Sequence, residues 1–106
     1  MSVVDLHAGD GRGPVWGDAT EDLNLTVLVW PPGEGPPEHV NDELDVVIVV
    51  VQGSGSVRLD GVHCDIRPGH AVLIPRGVTR SLSAGPDGLR YLSLHRRRGG
   101  LQIGRS

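Results

Sequence analysis

Five histidines and one cysteine are the side chains of this sequence best suited to proton transfer or metal ligation. Cys64 stands alone, so an internal disulfide is excluded. No nucleophile constellation surrounds it, and its alternation with His63 in a short extended run points it inward as a small apolar residue. His7 lies in a glycine-broken N-terminal stretch, and His63 and His70 flank turn residues and are expected on the surface. His39 and His95 remain as candidates. Phosphate chemistry has two weak footholds. Arg96-Arg97-Arg98 could hold a phosphate or RNA, but the net charge is −3 and the cluster reads as a solvated strand end, so no nucleic-acid partner is expected. Gly53-Ser54-Gly55 is expected to be a hairpin turn, because no helix follows to complete a phosphate loop.

The elements that must position these groups are short strands. The chain has 106 residues, which suits one domain and is ample for a core without disulfides or metal. With 16 glycines and 8 prolines set between valine-rich runs, and no sustained 3.6-residue apolar period, the pattern predicts β-structure and no helices. Leu23 to Trp30 and Asp45 to Gln52 are the strongest strands, the second apolar at consecutive positions and so expected to be covered on both faces. Pro31 to Pro37 between them reads as a stiff, exposed loop. Ser56–Leu59 and Val62–Ile66 flank Asp60-Gly61, a two-residue hairpin signal. Ala71–Ile74 is a short strand ended by Pro75-Arg76-Gly77, and Thr79–Ala84 with Leu89–His95 reads as a final pair around Gly85 to Gly88. Val3-Val4, Val15-Trp16 and Leu101–Ile103 are candidate edge strands. The expected organisation is a single domain over residues 1–106, with a core of about 23–95, an irregular arm 1–22 and a tail 96–106. Some eight to ten short strands at near ten-residue spacing imply an antiparallel sandwich or barrel. No basic patch followed by an apolar run opens the chain and no apolar run is long enough to span a bilayer, so a cytoplasmic protein with no membrane partner is expected.

The order of turns carries a family resemblance. A Pro/Gly loop leads to His39, a buried strand ends in Gly53, an Asp-Gly hairpin follows, then Pro68-Gly69, a strand, and Pro75-Arg76-Gly77. This resembles a small single-domain cupin, a double-sheet barrel of the jelly-roll type. The family's second motif begins with glycine, five residues and Pro-x-Gly, matched by Gly69 and Pro75-Arg76-Gly77. Its first motif, with His-x-His and a following Glu, is matched more loosely, with Gly33 five residues before His39 and Gly53 closing the next strand one residue late.

In that family two histidines, a glutamate and a third histidine hold a transition metal inside the barrel. Here the resemblance keeps His39, puts Asn41 at the second histidine, Asp45 at the glutamate and Arg80 at the third histidine. A guanidinium stays protonated and cannot ligate, so the metal motif is degenerate and no metal or other cofactor is expected. One set would repair it, His39, Asp45 and His95, were the last ring to turn inward. The altered positions leave three functions open. His39, Asn41, Asp45 and Arg80 could bind a small anionic ligand. His39 could serve as the acid or base of a metal-free isomerase, or the repaired set could serve a metal-dependent oxygenase. Alternatively, Arg80 is buried on Asp45, or on Glu43, in a filled barrel with a structural role. Whether the chain is an enzyme stays open. The resemblance and the apolar Leu101 and Ile103 imply a homodimer.

Overall fold

The computed structural model describes residues 2–97. Among them there is no helix, and seven strands follow in order: β1 Gly13–Ala19, β2 Leu23–Trp30, β3 His39–Val40, β4 Val46–Leu59, β5 Val62–Ile66, β6 Ala71–Ile74 and β7 Thr79–Arg96. All pairings are antiparallel. They make one hydrogen-bonded surface in the order β1-β2-β7-β4-β5, with β3 beside β7 and β6 beside β4. The surface does not close on itself. It folds over, because β4 and β7 are long and pair twice. Residues 46–50 of β4 meet 91–95 of β7, and residues 55–59 meet 80–84. The first half of β4 and the second half of β7, with β1, β2 and β6, make one sheet, and the second half of β4 and the first half of β7, with β3 and β5, make the other. The result is the expected antiparallel double-sheet jelly roll.

Two expected turns are therefore bends within strands. Gly53-Ser54-Gly55 does not reverse the chain. It lies inside β4, where the register shifts between Val50 and Gln52 and again between Gly53 and Gly55. Gly53 has φ 85°, and a Cβ there would run into the Gly88 carbonyl, so the backbones cross too closely for any other residue. Gly85 to Gly88 likewise is not a hairpin. Thr79–Ala84 and Leu89–His95 do not pair with each other, and each pairs with β4. Asp60-Gly61 does reverse the chain, with φ of 48° and 84° at the two positions and Leu59 opposite Val62, the backbone that a two-residue primed turn requires.

The core lies between the sheets and includes Val46, Ile48 and Val50 from β4, Leu82 and Tyr91 from β7, and Trp30 from β2. Val47, Val49 and Val51 on the opposite face are half-buried rather than fully covered, so the apolar run alternates in burial. Cys64 is exposed, because β5 is the edge strand and its end carries even Val62 at 64% exposure. His63 is exposed, as expected, whereas His70 is half-buried and its Nδ1 accepts the N–H of Arg67 at 3.2 Å. The Pro31–Pro37 loop is stapled down rather than fully exposed: the N–H of Gly33 reaches the Ala84 carbonyl, and the N–H of Ala84 the Glu34 carbonyl. Val15-Trp16 belongs to the longer β1, Val3-Val4 is not a strand, and Arg98 and Leu101–Ile103 lie outside the described residues.

The N-terminal arm is tied to the outer face of the first sheet by Arg90, which is 9% exposed. Its Nη1 donates to the carbonyls of Leu6 (3.2 Å) and Ala8 (2.8 Å), and its Nη2 to that of Gly9 (2.7 Å). Charge-assisted bonds of this kind are among the stronger ones available to a side chain. Arg90→Met keeps the apolar stem and deletes all three bonds. The expected cost is about 2–4 kcal/mol, with faster amide exchange across the arm and unchanged exchange in β4. Unaltered exchange in the arm would show that apolar packing, not Arg90, holds it.

Candidate functional site

β3 aligns His39 directly with Arg80, and Arg80 shares its face of β7 with Leu82 and Ala84 of the core. The arginine therefore points between the sheets. It is half-buried, with Nη2 3.5 Å from Nε2 of His39, a contact that needs that imidazole nitrogen as the acceptor. Across from it stands Tyr91 on the second half of the same strand, buried, its hydroxyl accepting the Trp30 Nε1–H at 3.2 Å. Burial lowers the Arg80 pKa, and the tyrosine partly offsets that shift. Burial raises the Tyr91 pKa, with the Trp30 hydrogen bond and Arg80 acting the other way. Trp30 and Tyr91 are components that the sequence reading did not include. An odd step from Ala84 to Leu89, both buried in the core, flips the face parity of β7, so Arg80 and Tyr91 face each other although strict alternation separates them.

The other expected site residues do different work. Asn41 does not face the barrel as a hydrogen-bonding partner of Arg80. Its Oδ1 accepts the N–H groups of Glu43 (2.9 Å) and Leu44 (3.0 Å), and its own carbonyl receives the N–H of Gly77. Asp45 is exposed and forms no ion pair with Arg80; its Oδ1 accepts the N–H of Arg76 at 2.9 Å. Short polar side chains satisfy nearby backbone donors readily; here Asn41 closes its own turn and Asp45 ties that turn to Pro75-Arg76-Gly77. Glu43 is exposed on the 41–45 turn. His95 does lie on the inner face, in register with Val46 and two strand positions from Ser93. Its Nδ1 is 2.7 Å from the Arg96 carbonyl and its Nε2 is 3.4 Å from Nδ2 of Asn24.

These residues do not fit a transition metal. The Asn41 carboxamide oxygen and one Asp45 oxygen are committed to backbone N–H groups. Arg80 brings a fixed positive charge to the place of a ligand. Among the described residues no three His, Cys, Asp or Glu side chains gather as a ligand set, so His39, Asp45 and His95 are not brought together. What the arrangement offers is a half-buried guanidinium within the electrostatic reach of a buried phenol, with an exposed imidazole 3.5 Å away. Such a guanidinium suits an anion.

Comparison with known proteins agrees with this architecture. The family described as Cupin domain matches residues 26–95. The dimethylsulfoniopropionate lyase DddW of Ruegeria pomeroyi is 36% identical over 75 residues, covering 69% of this chain and 47% of that protein, so the chain spans about half the length of this curated relative. Among solved structures, BH2720 of Bacillus halodurans superposes with a TM-score of 0.79 at 20% identity, over 92% of this chain and 81% of that one. KdgF of a Halomonas species superposes with a TM-score of 0.73 at 24% identity, over 87% and 82%. At such identities the two structures speak for the fold alone.

Tyr91 is the sole tyrosine of the chain, so tyrosinate absorbance reports on this site without interference from other phenols. Its titration in the folded protein is expected above the ordinary phenol range and back within that range on unfolding. Because ionisation is harder in the folded chain, the associated stability is complete below the ordinary phenol pKa and is lost as pH rises through the raised one. A spectrophotometric pH titration, native and in denaturant, checks this. Coincident curves would mean that Tyr91 is not in a desolvated site.

Proposed function

This chain belongs to the cupin domain family, and we propose that it binds a small carboxylate between its two sheets, with Arg80 as the anchor and His39 and Tyr91 beside it. The observation that carries the reading is the state of Arg80: half-buried, its pKa lowered chiefly by burial, with a phenol rather than a carboxylate as its electrostatic neighbour. A guanidinium withdrawn from water without a fixed acid is costly unless an anion completes it, and its planar fork matches a carboxylate. The name of the relative DddW adds to this, since a propionate is a small carboxylate. That name also favours a second reading, in which the bound carboxylate is a substrate and His39 moves a proton. Incubation with dimethylsulfoniopropionate, followed by NMR for its loss, tests that reading directly.

Binding and structural roles for Arg80 separate in thermal melts. A structural ion pair with Asp45 would make Arg80→Met cost about 3–5 kcal/mol. On the present reading Arg80→Met costs less than about 1 kcal/mol, because no fixed partner is lost. The double change with Asp45→Asn is then no more stable than Asp45→Asn alone. Wild-type protein should melt higher with small carboxylates, by an amount following RT ln(1 + [L]/Kd), and Arg80→Met should not respond. A full ligand response in Arg80→Met rules the anchor out.

The homodimer expected from sequence also belongs to this reading. β5 is an edge strand with Val62 exposed, and Leu73 beside Val47 on the outer face is 71% exposed, so both an open ladder and apolar surface are available to a second copy. Light scattering at micromolar concentration should return twice the chain mass, and a monomer mass removes the dimer. No helix among the described residues is long and apolar enough to cross a membrane.

A further inference from the structure

The wall beyond Tyr91 narrows the class of carboxylate. On the inner face of the first sheet, continuing from Tyr91 toward the strand end, come two cross-strand pairs, Ser93 opposite Thr26 and His95 opposite Asn24. All four side chains are half-buried. On the other side of β7, in the same sheet, Val46, Ile48 and Val50 of β4 stand opposite His95, Ser93 and Tyr91. The inner face of this sheet therefore carries a hydrocarbon strip along β4 beside two hydroxyls, a carboxamide and an imidazole along β7 and β2. The imidazole is oriented: with Nδ1 2.7 Å from the Arg96 carbonyl, Nδ1 holds the proton and Nε2 is left as an acceptor beside Asn24. No charged residue stands among these four.

We propose that the ligand is a hydroxylated carboxylic acid, its acid group on Arg80 and its hydroxyl-bearing chain along Thr26, Ser93, Asn24 and His95. The inference rests on the anion reading above and specifies the remainder of the molecule. A hydroxyl both donates and accepts, and this wall offers both roles in neighbouring positions. A plain alkanoate would offer the Thr26 and Ser93 hydroxyls no partner on burial, and a dicarboxylate would bring a second charge to four side chains that carry no fixed cation. Size follows from the register. Successive inner-face residues are roughly 6.6 Å apart along a strand, so His95 stands roughly 13 Å from Tyr91. A chain of about six carbons, with a hydrogen bond of roughly 3 Å at either end, fills that span.

Calorimetry on the full chain with four probes tests this: gluconate, hexanoate, adipate and the neutral polyol sorbitol. Gluconate is expected to bind at least about ten-fold more tightly than hexanoate or adipate, as one or more buried hydrogen bonds allow. Sorbitol should give no heat. Thr26→Val and Ser93→Ala, chosen as near-isosteric changes, should each weaken gluconate about ten-fold and leave hexanoate unchanged. Equal binding of gluconate and hexanoate, tighter binding of adipate, or indifference of gluconate to both variants would overturn the hydroxylated-acid inference while leaving Arg80 as an anion anchor. Binding of gluconate that survives Arg80→Met, or binding of no acid at all, would bring down the anion reading and this inference with it.

Discussion

The antiparallel ladder between β4 and β7 is the constraint from which the rest of the molecule follows. It runs from Val46 opposite His95 to Leu59 opposite Arg80, through two register shifts in β4 and a wide bulge at Gly85 to Gly88. Because both strands bend together, one continuous pair supplies a wall to each sheet. β2 and β6 extend the first wall and β3 and β5 the second. The site is a consequence of this folding over: Arg80 and Tyr91 belong to one strand and meet only because it doubles back on itself. The close approach at Gly53 and Gly88 is the hinge of that geometry, and it admits no Cβ at Gly53.

The bend also decides what becomes of the family's ligand positions. A metal site needs its donors free to turn inward. In this chain the Asn41 side chain accepts the N–H groups of Glu43 and Leu44 in its own turn, and Asp45 accepts the N–H of Arg76. With those oxygens holding N–H groups at 2.9–3.0 Å, Asn41 shapes the 41–45 turn and Asp45 clamps it to Pro75-Arg76-Gly77, without an ion pair to Arg80. On the proposed reading, the poor fit to a metal and the fit to an anion come from one set of residues, Asn41, Asp45 and Arg80.

Much of the fold was legible because it rests on local physics. Asp60-Gly61 demands positive φ at both positions and takes it, and the valine runs beside proline and glycine could be little else than strands. The failures share a cause. A Gly-Ser-Gly or Gly-Pro-Asp-Gly segment has the same local preferences whether it reverses a chain or bulges within it, and only the partner strand chooses. With the bulge unseen, face parity across β7 could not be carried from Arg80 to Tyr91, so the phenol was missed. Cys64 sits at an inward register position yet is exposed, because no strand lies beyond β5. Arg90 was illegible for a different reason: its partners are carbonyls of an irregular arm, which carry no side-chain signature.

Arg80 and Arg90 show how one residue type on one strand acquires two roles. Both are withdrawn from water, and each guanidinium must recover the hydrogen bonds it gives up. Arg90 recovers them within the chain, from three carbonyls at 2.7–3.2 Å, and so it fastens the arm. Among the described residues Arg80 has a 3.5 Å contact with His39 and the field of a neutral phenol. Intramolecular satisfaction makes Arg90 structural; the proposed carboxylate would complete the fork of Arg80, which is half-buried rather than enclosed. The bulge between them produces the difference. By shifting parity it sends Arg90 outward to the arm and sets Arg80 and Tyr91 inward, so the backbone irregularity that looks like a defect in β7 is what gives the two arginines different surroundings.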